Sequence, residues 1–98
     1  MTIEHTVDFR LRHPAGSAEE AAFLATARST LTAIPGVEDF RIDRQVSPKS
    51  ELAWRFSMRF ADQAAYDAYN THPLHTGFVQ DRWVPEVDAF QEYDYIAY

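Results

Sequence analysis

Ile3-Glu4-His5-Thr6-Val7-Asp8-Phe9-Arg10-Leu11 alternates without a break, with Ile3, His5, Val7, Phe9 and Leu11 on one side and Glu4, Thr6, Asp8 and Arg10 on the other. A period of two with one apolar side is the signature of a strand that is buried on a single face. Such strands belong to antiparallel sheets covered on one side only, because an all-parallel sheet is buried on both faces and reads as a continuous apolar run. The same alternation returns once, in Leu52, Trp54, Phe56, Met58 and Phe60 against Ala53, Arg55, Ser57 and Arg59. These two stretches set the expectation of a one-sided sheet.

Between them the pattern changes period. His13-Pro14-Ala15-Gly16 interrupts the first strand, and Ser17-Ala18-Glu19-Glu20 reads as a capping box in which serine and glutamate each take up a free N–H. Leu24, Ala27, Leu31 and Ile34 then recur at spacings of three and four, predicting a helix of about four turns that Pro35-Gly36 ends. A strand follows over residues 37–46, with Phe40, Ile42 and Val46 on one face, and Ser47-Pro48-Lys49-Ser50 turns it back as a hairpin. Asp62 is a suitable N-cap for a second helix carrying Tyr66 and Tyr69. Pro73 ends that helix near Asn70 or Thr71, since the residue before a proline is pushed out of helical geometry. A short third helix bears Leu74, Phe78 and Val79, Pro85 closes it, and a last strand runs from about Val87 to Ile96.

The order β-α-β-β-α-(α)-β is the ferredoxin-like plan, an α+β sandwich with both helices on one face of a four-stranded antiparallel sheet. Its 98 residues make one domain, 1–98. The uncovered face holds Glu4, Asp8, Asp39 and Asp43 against Arg10, Arg12, Arg41, Arg55 and Arg59, a near balance in a chain whose net charge is -6. That face reads either as solvated sheet with cross-strand pairs or as the inside of a barrel closed by a second subunit. The last strand favours the second: Phe90 and Ile96 lie on one side, and Val87, Ala89, Tyr93 and Tyr95 on the other.

Composition narrows the function. Fifteen acidic residues against eight Arg and one Lys repel phosphate backbones and anionic membrane surfaces, so no nucleic acid and no membrane is expected as a partner. The absence of cysteine removes disulfide, thiolate and Cys-type zinc chemistry. Neither a basic-then-apolar leader nor a stretch of membrane-spanning length is present, and the expectation is a soluble cytoplasmic protein.

Asp67-Ala68-Tyr69-Asn70-Thr71-His72-Pro73-Leu74-His75-Thr76-Gly77-Phe78 is the most specific stretch. With His5, Pro35-Gly36-Val37, Val46-Ser47-Pro48 and Tyr93-Asp94-Tyr95, it resembles the stress-responsive dimeric α/β-barrel (Dabb) family over nearly the whole chain. The resemblance implies a homodimer formed by sheet-to-sheet association. Most members are linked to stress or salt response, and a plant branch comprises polyketide cyclases that perform an intramolecular aldol condensation. In that branch a tyrosine on the second helix and the histidine following H-P-x are the catalytic pair, and the matching positions are Tyr69 and His75. His5 matches a further pocket histidine, whereas Trp54 stands where the branch has a histidine on the third strand, which argues against the same substrate.

The chemistry has its own logic. Aldol cyclisation needs a base for a proton between two carbonyls, and histidine, with a reference pKa near ~6.5, is available at neutral pH. His75 is the candidate base, and Tyr69 is the donor to His75 or to a substrate oxygen. No cofactor is required. The expected pocket lies between the helices and the apolar sheet face, lined by His5, Val7, Phe9, Trp54, Phe56, Tyr69, His75 and Phe78, and suits a small aromatic or polyketide-like molecule. Trp54 should then report ligand by fluorescence.

Each residue also has a plainer reading. His5 suits a hydrogen-bonded core position, Tyr66 and Tyr69 suit helix packing, and the aromatics together would simply fill the core. His72, fixed before Pro73, reads as a capping group. A metal held by His5, His72 and His75, or a heme or monooxygenase pocket using Trp54, is the remaining alternative, as is a non-catalytic binder or a purely structural dimer.

Overall fold

The computed structural model describes residues 1–98. Its elements are β1 (Ile3–Leu11), α1 (Ala18–Leu31), β2 (Glu38–Arg44), β3 (Trp54–Phe60), α2 (Gln63–Thr71), α3 (Pro73–Phe78), a π-helical turn (Val79–Trp83), α4 (Val84–Glu86) and β4 (Val87–Tyr95). The sheet is antiparallel throughout in the order β2-β3-β1-β4, which is the ferredoxin-like arrangement. The helices cover one face, and Phe9, Phe23, Phe56, Met58 and Phe60 are fully buried between the two layers.

Local chemistry explains the boundaries. Ser17 caps α1 by accepting from the Glu20 N–H at 3.2 Å. Glu20 does not complete the expected box on Ser17: one carboxylate oxygen accepts from the Gly16 N–H at 3.0 Å and the other from the Trp54 indole N–H at 3.2 Å. The buried stripe of α1 is Glu20, Phe23, Ala27 and Leu31, so Phe23 rather than Leu24 is the centre of that face. Asp62 caps α2 through the Ala65 N–H. His72 turns the chain in extended geometry before Pro73, and its Nδ1 accepts from the Leu74 N–H at 3.1 Å, capping the start of α3.

The third helical segment does not close at Pro85 but runs through it to Glu86, accommodating the proline with a widened turn. A proline lacks the N–H for the bond to the carbonyl four residues back and its ring crowds that carbonyl. The helix widens instead: the Val84 N–H reaches Val79 O, one residue beyond α-helical spacing, and the turn throws Trp83 toward the sheet.

Three other departures come from strand irregularities. β2 ends at Arg44, leaving Val46 exposed instead of sharing the face of Phe40 and Ile42, and Leu52 precedes β3 rather than opening it. Asp39 sits at φ 52, where the β2–β3 register shifts between Glu38 and Arg41, and so forms a bulge. In β4 the register shifts at Asp88, so Val87 pairs with Leu11 and joins the core instead of lying beside Tyr93 and Tyr95.

On the uncovered face five of the nine expected charges, Asp8, Asp43, Arg10, Arg41 and Arg55, are paired, whereas Glu4, Asp39, Arg12 and Arg59 form no ion pair. Arg55 grips Asp8 through two nitrogens at 2.6 and 3.3 Å, Arg10 reaches Asp88 and Glu51 at 2.8 Å each, and Arg41 meets Asp43 at 2.9 Å. Tyr93 and Tyr95 stand together on the same face, their ring centroids 6.1 Å apart. No helix is long and apolar enough to cross a membrane.

Candidate functional site

A cavity of about 320 Å³ lies between the helical layer and the sheet, where α2, α3 and the π-helical turn arch over β1 and β4. His5, Val7, Phe56, Tyr69, His75 and Phe78 line it together, six of the eight positions expected from the sequence. The other two do not. Phe9 is sealed beneath the lining, packed against Phe23, Phe56 and Trp83, and Trp54 lies outside it with its indole N–H on Glu20 and the Arg44 guanidinium 4.8 Å over its ring. Trp83, brought in by the π-helical turn, is the tryptophan that faces the cavity. The remaining lining comes from Leu31, Met58, Val79, Val84, Phe90 and Glu92.

His75 is held by the end of α2. Its Nδ1 lies 3.1 Å from the Asn70 carbonyl, and a carbonyl only accepts, so the neutral ring carries its proton on Nδ1 and a free lone pair on Nε2. Burial pushes the His75 pKa below its ordinary value, against the carbonyl bond, which favours the charged form; nearby His5 lowers it further. The Tyr69 ring stacks obliquely on it with centroids 4.3 Å apart. The Tyr69 hydroxyl has no partner in the chain, yet no sealed polar atom of the protein lacks one, so this hydroxyl opens on the cavity. Burial, helped by Tyr66 and Glu92, holds it well above the usual phenol range, and it stays a proton donor.

His5 reaches the same cavity from β1. Its Nδ1 is 2.6 Å from Asp94 Oδ1, and the Tyr66 hydroxyl donates to Asp94 Oδ2 at 2.8 Å while lying 3.0 Å from the imidazole Nδ1. A carboxylate accepts from both, which places a proton on His5 Nδ1 and, in the neutral ring, leaves the lone pair on Nε2. His5 is thus both a hydrogen-bonded buried histidine and a pocket residue. The site presents two imidazole lone pairs and one phenol in an otherwise mostly apolar enclosure.

Asp94, Tyr66, Trp83 and Glu92 were not among the site residues expected from the sequence. Their signal was partial: Phe9 pairs with Phe90, and from Phe90 the alternation of β4 carries Glu92 and Asp94 onto the helix side. His72 does not join His5 and His75, being used at the start of α3, and no cluster of three His, Asp or Glu is arranged to hold a metal.

Solved structures share this architecture. A ferredoxin-like Dabb-family protein from Mesorhizobium loti is 54% identical, with a TM-score of 0.98 over 99% of this chain and 97% of that one. A hydroxynitrile lyase from Passiflora edulis (TM-score 0.83, 14% identity, 99% of this chain and 94% of that one) has the same fold. So does a dimeric ferredoxin-like protein from Thermobifida fusca (0.81, 14%, 99% and 92%). No functionally curated protein matches by sequence. The sequence profile of the stress-responsive A/B barrel domain matches residues 3–97, so with the Mesorhizobium loti protein as a relative the chain belongs to the Dabb family.

Proposed function

We propose that the protein is a cofactor-free acid–base enzyme for a small aromatic or polyketide-like carbonyl compound, working by proton transfer of the kind that drives aldol cyclisation. The observation that carries this reading is the bond from His75 Nδ1–H to the Asn70 carbonyl, which leaves Nε2 as a base inside the cavity next to the Tyr69 hydroxyl. His75 Nε2 takes a proton from the carbon between two carbonyls, and Tyr69 donates a hydrogen bond to the enolate oxygen as charge develops there. The enolate carbon bonds to a second carbonyl carbon of the same chain, and the resulting alkoxide takes back the proton held by His75. His5, oriented by Asp94, is a second base within the enclosure.

A homodimer formed through the sheets fits the same picture. Tyr93 and Tyr95 are about half exposed at one edge of a face on which several of the charges are already paired, an arrangement suited to cover by a second sheet.

The test uses benzoylacetone, an aryl 1,3-diketone whose keto–enol relaxation is followed by the loss of enol absorbance. The protein accelerates relaxation, and His75→Ala returns it to the buffer rate with an unchanged near-ultraviolet circular dichroism spectrum; acceleration that survives the substitution removes His75 from the mechanism. A second reading, a binder without turnover, is favoured by the lining itself, ten of whose thirteen residues are hydrophobic. Quenching of Trp83 by benzoylacetone without acceleration would select it.

A further inference from the structure

The charge of the cavity lining is one-sided. Val7 pairs with Glu92 across β1 and β4, so the Glu92 side chain falls on the helix side between Phe90 and Asp94 and borders the cavity. It is the one carboxylate in the lining, and no Lys or Arg accompanies it. A neighbouring hollow lined by Asn70, His75, Thr76, Val79, Gln80 and Val84 shares three residues with the cavity and extends it toward solvent, again with no charged side chain. Asp8, Asp43, Glu51, Glu86 and Asp88 all meet an arginine, whereas Glu92 forms neither an ion pair nor a hydrogen bond.

An anionic ligand would therefore enter beside a carboxylate with no counter-ion, at a rim exposed to solvent where water weakens the repulsion without abolishing it. A cation meets the opposite situation. The carboxylate attracts it, and Phe56, Trp83 and Phe90 offer aromatic faces of the kind that ammonium groups favour. The acidic excess of the whole chain adds a longer-range attraction for cations.

We infer that this cavity takes an aromatic molecule bearing a protonated amine and rejects carboxylates, with Glu92 as the residue that sets the preference. The inference rests on the cavity being the ligand site proposed above, and it names the ligand class for that site. Glu92 contributes by charge at the rim, separately from the proton transfer assigned to His75 and Tyr69.

Three probes of nearly equal shape test it: 3-phenylpropylamine, 3-phenylpropan-1-ol and 3-phenylpropanoate, titrated by calorimetry into the intact protein at neutral pH and low salt. The expected order of affinity is amine, alcohol, carboxylate, with the amine about tenfold or more tighter than the carboxylate. Added salt narrows the gap. Glu92→Gln brings the amine-to-carboxylate ratio to within about threefold, with the alcohol in the same variant as the reference for an intact cavity. Carboxylate binding as tight as amine binding overturns the inference, as does a ratio that Glu92→Gln leaves unchanged. Silence from all three probes overturns it too. In each case benzoylacetone separates the two claims: if its relaxation is still accelerated through His75, the charge preference alone has failed, and if not, the proposed function falls with it.

Discussion

His5 and Asp94 meet at 2.6 Å across the paired strands β1 and β4, with the Tyr66 hydroxyl closing a three-membered ring of contacts. The contact decides which nitrogen of the neutral His5 ring keeps the lone pair. Asp94 is therefore a positioning residue, acting through His5. Asp94→Asn keeps a similar shape but lets the amide donate to Nδ1, which reverses the tautomer. The variant is expected to lower benzoylacetone relaxation by roughly tenfold or more, as loss of an orienting partner does at metal-bound histidines. Nitrogen-15 spectra of the His5 ring provide the readout that a merely structural role would not move: proton on Nδ1 in the parent, proton on Nε2 in the variant.

The pH dependence follows from His75. Burial disfavours its charged form, so in the folded protein it protonates below its ordinary 6.5. Its lone pair is then fully available at neutral pH, and the acid limb of the relaxation rate falls below pH 6.5. The stability effect has the same direction: below pH 6.5 the unfolded chain binds the proton more readily, so stability declines as pH falls toward the folded pKa. Proton NMR titration of the His75 ring checks the sign, and a midpoint above 6.5 would contradict it.

Asp39 offers a backbone test remote from the cavity. At φ 52 it occupies the left-handed region, which Asp tolerates, Gly accepts freely and β-branched residues resist. Asp39→Val should cost about 1–2 kcal/mol, whereas Asp39→Gly should leave stability within about 0.5 kcal/mol of the parent, because relief of strain and the greater freedom of the unfolded chain oppose each other. Urea melts of the two variants give the comparison, and equal midpoints would mean that the bulge relaxes around valine.

The core is sensitive for a different reason. Phe23 is fully buried and its ring lies within 5.6–6.3 Å of those of Phe9, Phe56, Phe78 and Trp83, so it links α1 to the sheet and to the cavity wall. Phe23→Ala should lose about 3–5 kcal/mol, seen as a large drop in Tm. A loss below about 1 kcal/mol would show that Trp83 collapses into the space.

Strand alternation made the sheet legible, because burying one face forces a period of two on β1 and β3 whatever the tertiary details. Capping residues likewise marked the starts of α1 and α2 and Pro73 the end of α2, whereas α1 stops at Leu31, ahead of Pro35-Gly36, and Pro85 lies inside α4. Tyr69 and His75 were singled out by the family resemblance carried on the Tyr-x-x-His-Pro-x-His pattern, and their ring centroids lie 4.3 Å apart. What escaped was set by non-local geometry. The bulge at Asp88 turns Val87 inward, Pro85 widens a helical turn and brings Trp83 to the cavity, and Trp54 is drawn outward by Glu20, 34 residues earlier. None of these has a periodic signature, since each depends on what an element packs against.

The clasp beside that widened turn connects stability to the cavity wall. Arg82 donates to both oxygens of Glu86 and to Thr26 Oγ1, and His13 Nε2 lies 2.7 Å from the same carboxylate. The hydrogen bond from Arg82, aided by His13, holds the Glu86 carboxyl below its usual 4.5 despite the opposing effect of partial burial. A depressed carboxyl stabilises the fold above its unfolded pKa, and that stabilisation fades as pH falls through the folded value, so the window lies below pH 4.5. Glu86→Gln should remove about 1–2 kcal/mol at neutral pH and flatten the loss of stability on acidification, measured by urea melts at neutral pH and below 4.5. Because Arg82 immediately precedes Trp83 and Val84 in the cavity wall, the same variant should weaken quenching of Trp83 by benzoylacetone. Parent-like quenching together with reduced stability would show that the clasp secures the fold without shaping the cavity.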